Sequence, residues 1–196
     1  IHSITRAIVI LGFSKIKNIA LSASIFDVFR GEEGSHFDMK GFWEHSLGVA
    51  VATDAIALEF RLENRDDAFV AGLLHDLGKI IIVVHLKTEA QEILRLIEEE
   101  GLLFIQAEER VLGSGHTMIG KWLAEKWGFP ESLVVPTARH HSPALARQSR
   151  DLACAVHLAD ILVRALGIGF GGDPGIPEID PFVWNRFELN QGRIER

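Results

Sequence analysis

The chain has 196 residues, of which 47% are apolar and 24% charged, with a net charge of −7 and a single cysteine. That length supports one domain with a full hydrophobic core, no run approaches the roughly 18 apolar residues of a membrane span, and the start has no signal-peptide pattern. The scattered basic residues exclude a Lys/Arg stripe for nucleic acid, and the lone Cys154 excludes an internal disulfide and a thiolate metal cluster and fits a reducing cytoplasm.

The hydrophobic period is helical along the chain. Ser3 to Leu11 reads as a first helix with Ser3 as N-cap, and Ser14 to about Phe29 as a second; Gly31 to Gly34 is a polar loop. Asp38 to Phe60 follows, with Phe42, His45, Val49, Ala52, Ile56 and Phe60 three or four apart. A helix from about Arg65 to Ile80 comes next, then Lys87 to Glu100, ended by Gly101. Leu102 to Gly115 reads as a connection. Helices over Thr117 to Trp127, Glu131 to His141 and Ser149 to Leu166 complete the pattern. Ile168 to Pro181 is rich in Gly and Pro and reads as a loop, before a short helix at about Pro181 to Phe187. The expected fold is all-α, a bundle of antiparallel helices. The expected division is a helical domain over 1–167 and a loop with a terminal helix over 168–196. The abrupt start at Ile1 suggests a fragment.

Placement singles out a few polar residues. In AGLLHDLGK (71–79), His75 and Asp76 would sit on neighbouring flanks of a helix, about 100° apart. The Asp76 carboxylate has two oxygens and can bridge two metals. Lys79 is three residues past Asp76, within reach of the same side. His45 lies on the apolar face of its helix, and His116 in a first turn whose buried side would be Ile119, Gly120, Leu123 and Trp127. His140 and His141 stand at a helix end before Pro143. Asp160 is inside an apolar helix, where a lone carboxylate costs several kcal/mol unless paired or metal-bound. Each also has a plain role: His45 as a hydrogen-bonded core ring, His116 as a cap, His140 and His141 as solvated groups, Asp160 as the partner of Arg164. Their joint occurrence argues for one site.

The order His, His-Asp, His, His-His, Asp resembles the HD superfamily of metal-dependent phosphohydrolases. AGLLHDLGK, EERVLGSGHTMIGKWLAEKWGFP (108–130), RHHSP (139–143) and SITRAIVILG (3–12) are similar to the HDOD domain, a bacterial signalling module. The resemblance implies an HD-type bundle, with a further helical subdomain ahead of Ser3. It implies one metal held by His45, His75, Asp76 and Asp160, and a second by His116, His140 and His141 with Asp76 bridging. Lys79 and Asp76 are then the catalytic candidates, Lys79 matching a lysine that contacts a substrate phosphate or the attacking water. Mixed imidazole and carboxylate ligands suit two divalent transition-metal ions: Fe, Mn, Zn or Ni.

Two functions follow. One is a phosphohydrolase or phosphodiesterase acting on a nucleotide or cyclic dinucleotide. The other is a non-catalytic signalling or scaffold module that binds a protein partner. Partners expected are a small phosphorylated ligand or a signalling protein, with no nucleic acid and no membrane. His157 reads as a support for a ligand or as core, Trp43 as a candidate pocket wall, and Trp122 and Trp127 as core or rim. Arg139 and Arg147 are the arginines near the motifs, for phosphate or surface ion pairs. His36 and His85 read as surface residues.

Overall fold

The computed structural model describes residues 20 and 37–190. The expected helices at Ser3 to Leu11 and Ser14 to Phe29, the loop at Gly31 to Gly34, and His36 lie outside the described residues. Within them the chain is helical and has no strand.

Helix α1 spans Met39–Glu59. Asp38 caps it, its Oδ1 accepting from the Gly41 N–H at 2.8 Å. After a 3-10 turn at Arg65–Asp67 come α2 (Ala68–Leu74) and α3 (Leu77–His85). The continuous helix expected over Arg65 to Ile80 is therefore broken at His75 and Asp76, and the helical path runs on to His85. The cause is local. The Gly72 carbonyl, which would accept the Asp76 N–H in a regular helix, lies 2.7 Å from His75 Nδ1. Asp76 leaves helical geometry at φ −102°, ψ 12°.

Helix α4 (Lys87–Glu100) matches its expected bounds, but the expected connection from Leu102 to Gly115 contains a further helix, α5 (Phe104–Leu112). The Gln106 side chain accepts from the Leu103 N–H at 3.0 Å, an N-terminal cap inside the supposed loop. Helices α6 (His116–Lys126), α7 (Glu131–Arg139), α8 (Arg150–Ala165) and α9 (Pro181–Arg186) follow.

Helix α8 is the axis of the fold. Leu152 through Ile161 are buried on every side, as an all-round apolar helix must be. One face meets α1, α2 and α7 in the main core, with Phe42, Val49, Leu74, Leu152 and Val156. The opposite face, with Cys154 and Leu158, carries α9 through Val183 and Phe187. Phe187 stacks on Phe60 at 4.4 Å between centroids. Arg65–His85 is apolar enough by composition to span a membrane, but 78% of its most apolar 18-residue window is buried in the fold, as a core element is.

Candidate metal centre

The seven candidate ligands come from six helices or their ends and meet at the middle of the bundle. His45 projects from α1, His75 and Asp76 from the break between α2 and α3, and His116 from the first turn of α6. His140 and His141 follow α7, and Asp160 projects from α8. His45, His75, His116 and His140 are fully buried and Asp76 and Asp160 nearly so, while His141 is half-buried. Their ligand atoms form two groups. Asp76, His116, His140 and His141 make one, and His45, His75 and Asp160 the other, with the atoms of each within 4.8 Å of one another.

Gly78 permits this convergence. A Cβ there would lie 2.0 Å from the His116 carbonyl oxygen and 2.9 Å from the Gly120 nitrogen. Helix α3 thus rests directly on the backbone of α6, which brings His116 beside Asp76.

Three rings have their tautomer set by what Nδ1 touches. His75 Nδ1 lies 2.7 Å from the Gly72 carbonyl. His116 Nδ1 lies 2.6 Å from Glu108 Oε1. His140 Nδ1 lies 3.2 Å from the carbonyls of both Pro136 and Thr137. All three contacts are acceptors, so Nδ1 carries the hydrogen and each neutral ring turns an Nε2 lone pair inward. In the neutral rings those lone pairs meet other lone pairs. His116 Nε2 is 3.0 Å from Asp76 Oδ1 and 3.4 Å from His140 Nε2, which is itself 3.5 Å from Asp76 Oδ1. His75 Nε2 is 3.2 Å from Asp76 Oδ2 and 4.0 Å from Asp160 Oδ1, and His45 Nε2 is 3.1 Å from Asp160 Oδ1. Among the described residues, His45 Nε2, His75 Nε2, Asp76 Oδ1 and His141 Nε2 are buried with no hydrogen-bond partner. Acceptors facing acceptors in a buried interior are relieved by a cation between them or by protons on the rings, and the two groups could hold a metal ion. The donor set of imidazoles and carboxylates is one that first-row transition metals take. The residues fit the expected ions.

The electrostatics divide the rings. Burial pushes His140 down to about 4 and His141 well below the usual imidazole range, so both rings are neutral at physiological pH, the form that can bind a metal. Burial also lowers His45. At His116 burial is outweighed by the Glu108 and Asp76 carboxylates, and its value rises. Burial opposes ionisation of Asp76 and Asp160, but His75, Lys79 and His116 around the first, and His45 and Arg164 around the second, hold both well below the carboxylate range.

Lys79 is 1% exposed. Its ammonium donates to Asp76 Oδ2 at 2.7 Å and to the Gly171 carbonyl at 2.8 Å, and sits 5.1 Å from the centre of the Phe104 ring. Gly171 belongs to the segment after α8, which crosses the centre as a strap. Gly169 has φ +65°, and a Cβ on it would clash with the His45 backbone nitrogen. Phe170 N–H donates to the Gly41 carbonyl at 2.8 Å. Asp173 is buried, accepts from the Phe104 N–H at 3.0 Å, and pairs with Arg164 at 3.2 Å. Arg164 also holds Asp160 at 2.9 Å, so the plain pairing and the clustered site coexist.

Sequence reasoning missed Glu108, Arg164 as a link to the strap, and Gly171. Glu108 is fully buried and fixes the His116 ring, yet it lies in the stretch read as a connection. His157 has a supporting place: its Nδ1 lies 2.7 Å from the His140 carbonyl, and its Nε2 accepts from the Asp180 N–H at 2.9 Å. Trp43 is partly buried against the core with its ring edge on Phe42. Trp127, expected on the buried side of α6, is instead exposed at its C-cap, and Trp122 is exposed within the helix. Arg139 and His85 are exposed.

A family model described as the HDOD domain matches residues 1–143. A solved HDOD domain protein of unknown function from Geobacter sulfurreducens is 29% identical, with a TM-score of 0.80 over 94% of this chain and 62% of its own. A candidate phosphohydrolase from Shewanella amazonensis SB2B has 24% identity and a TM-score of 0.76, covering 85% of this chain and 61% of its own; it shares the fold. An uncharacterized Treponema pallidum protein is 25% identical over 180 residues, 83% of this chain and 32% of that protein. The chain thus spans about three-fifths of these solved relatives and a third of the curated one.

Proposed function

The chain belongs to the HDOD domain family, and we propose that it is a bacterial, cytoplasmic signal-transduction domain built around a buried two-metal centre of the phosphohydrolase type. One observation carries this reading: buried imidazole and carboxylate ligand atoms converge in two adjacent groups, and His45 Nε2, His75 Nε2, Asp76 Oδ1 and His141 Nε2 among them have no hydrogen-bond partner. His45, His75 and Asp160 would hold one ion, His116, His140 and His141 the other, with Asp76 between the two. Bound there, first-row ions supply Lewis acidity toward a phosphoryl oxygen.

This chain's residues do the rest. Asp76 divides its oxygens, Oδ1 toward His116 and His140 and Oδ2 toward His75 and Lys79. Lys79 neutralises that second oxygen and ties it to the Gly171 strap. Glu108 and the Gly72 carbonyl keep His116 and His75 in the ligand tautomer. A closed, dry centre suits a structural metal better than an open catalytic one, which favours the signalling role. Hydrolysis of a phosphoester is the second reading. It is supported by the donor set and by the half-buried His141, the one candidate ligand with part of its surface at solvent.

Asp76→Ala tests the centre. It removes the one carboxylate that touches both groups, so loss of both metals is expected by elemental analysis of the purified variant. Unchanged metal content would rule out the bridging role. A parallel assay of the parent chain with a chromogenic phosphodiester and added Mn or Fe separates the two readings: turnover abolished by Asp76→Ala supports hydrolysis, and none supports a closed centre.

A further inference from the structure

A second site lies at the other end of α8, where Arg61, Arg147, Arg150 and Arg186 line a cleft of about 650 Å³. That volume is within the roughly 300–1,000 Å³ of small-molecule sites. Four arginines in one cleft stand out in a chain of net charge −7. Two carboxylates, Glu63 and Asp151, share the lining. Asp151 is already taken, accepting both a 2.7 Å and a 2.6 Å bond from the Arg186 guanidinium. Arg150 is fixed, with Nε on the Ala146 carbonyl and its guanidinium 5.4 Å from the centre of the Phe182 ring. The guanidinium groups of Arg61 and Arg147 make no hydrogen bond or ion pair among the described residues. Both are exposed, and their guanidinium forks are free for a ligand.

The backbone is shaped for the same purpose. Arg61 and Ser149 are two of three non-glycine residues with positive φ among the described residues, at 52° and 43°. Left-handed backbone at two facing loops is strain of the kind that gathers at ligand sites. A 3.3 Å bond from Asn64 Nδ2 to Ser149 Oγ links the loops across the cleft. No side chain caps the first turn of α8 beneath them.

We propose that this cleft binds a small phosphate-bearing anion, with Arg61 and Arg147 as the two forks that grip it. Guanidinium pairs phosphate oxygens two at a time, and lysine does not. The aromatic rings of Phe60 and Phe182 beside the arginines give a nucleoside phosphate more to touch than inorganic phosphate has. The site is separate from the metal centre. Arg150 and Asp160 are ten residues apart on one helix, about 15 Å along its axis.

Calorimetric titration of the 196-residue chain with GDP and with pyrophosphate at about 50 mM salt, where screening is weak, tests this. The comparison is with the double variant Arg61→Gly, Arg147→Ala; glycine keeps the positive φ. Arg147→Glu alone, at an exposed position, serves if the double variant does not fold. Saturable binding that weakens by about tenfold or more in the variants, with metal content unchanged, is expected. Equal affinity for the two probes then assigns recognition to the phosphates, and tighter GDP adds the base. No saturable binding of either probe, or binding that the variants leave unchanged, would overturn the proposal.

Discussion

At the scale of single residues, the centre depends on which ring nitrogen carries the hydrogen. Glu108 settles that for His116, so Glu108→Gln is the informative change. The amide can donate its NH₂ to Nδ1, which moves the ring hydrogen to Nε2 and removes the inward lone pair. A supporting carboxylate of this kind typically costs 10–100-fold in metal affinity when lost, about 1.4–2.7 kcal/mol. A competition titration against a chelating dye checks this, with circular dichroism showing the fold intact. Cys154 offers an independent check on packing. Burial pushes its thiol up to about 12, so the thiolate is scarce at pH 8. A disulfide reagent should therefore leave the native protein unlabelled and modify one thiol per chain only after denaturation. The seven candidate ligands stood out in the sequence because they are residue types seldom left on apolar helix faces and because their order resembles the HD superfamily. Glu108 was not, because a glutamate beside Glu109 and Arg110 in an assumed connection carries no sign of burial.

At the scale of elements, the sequence period correctly marked α1, α4, α6, α7 and α8, each with a regular apolar stripe ending near Gly, Pro or a polar turn. It failed at two places, both beside the centre. The break between α2 and α3 is invisible to periodicity, because both halves are buried on all sides and a hydrophobic run does not show where a ring nitrogen takes over a backbone acceptor. Helix α5 was hidden because its buried face, Phe104, Ala107 and Glu108, includes a charge. The contact between α3 and α6 gives the element-scale prediction. Gly78→Ala would place a methyl against the His116 carbonyl. Overpacking of this kind typically costs about 1–3 kcal/mol, so a Tm lowered by several degrees and weaker metal retention are expected in thermal melts with and without added metal. Gly48→Ala, where a Cβ meets only the side chains of Val163 and Ile168, is the control and should keep its metal.

At the scale of the molecule, the Gly/Pro-rich segment after α8 read only as a loop, and its composition indeed shows no regular structure. That it crosses the metal centre depends on contacts far apart in the chain: Lys79 with Gly171, Phe170 with Gly41, Asp173 with Arg164 and Phe104. No local pattern encodes them. Lying over the candidate centre, the strap is placed to shield it. Asp173→Ala removes the carboxylate on Arg164 and the Phe104 N–H, and an opening made easier by about 1.4 kcal/mol raises the open population tenfold. Metal loss to excess chelator should quicken by about that factor in stopped-flow or dialysis time courses; an unchanged rate would mean that ions leave by another route.

The central claim, that the converging lone pairs hold two cations, is tested most directly by elemental analysis of the chain purified without chelator under low oxygen. Close to two first-row metal ions per chain is the predicted result. No bound metal, even after incubation with Mn or Fe, would contradict it and leave the fold as a protein-binding module without a metal centre.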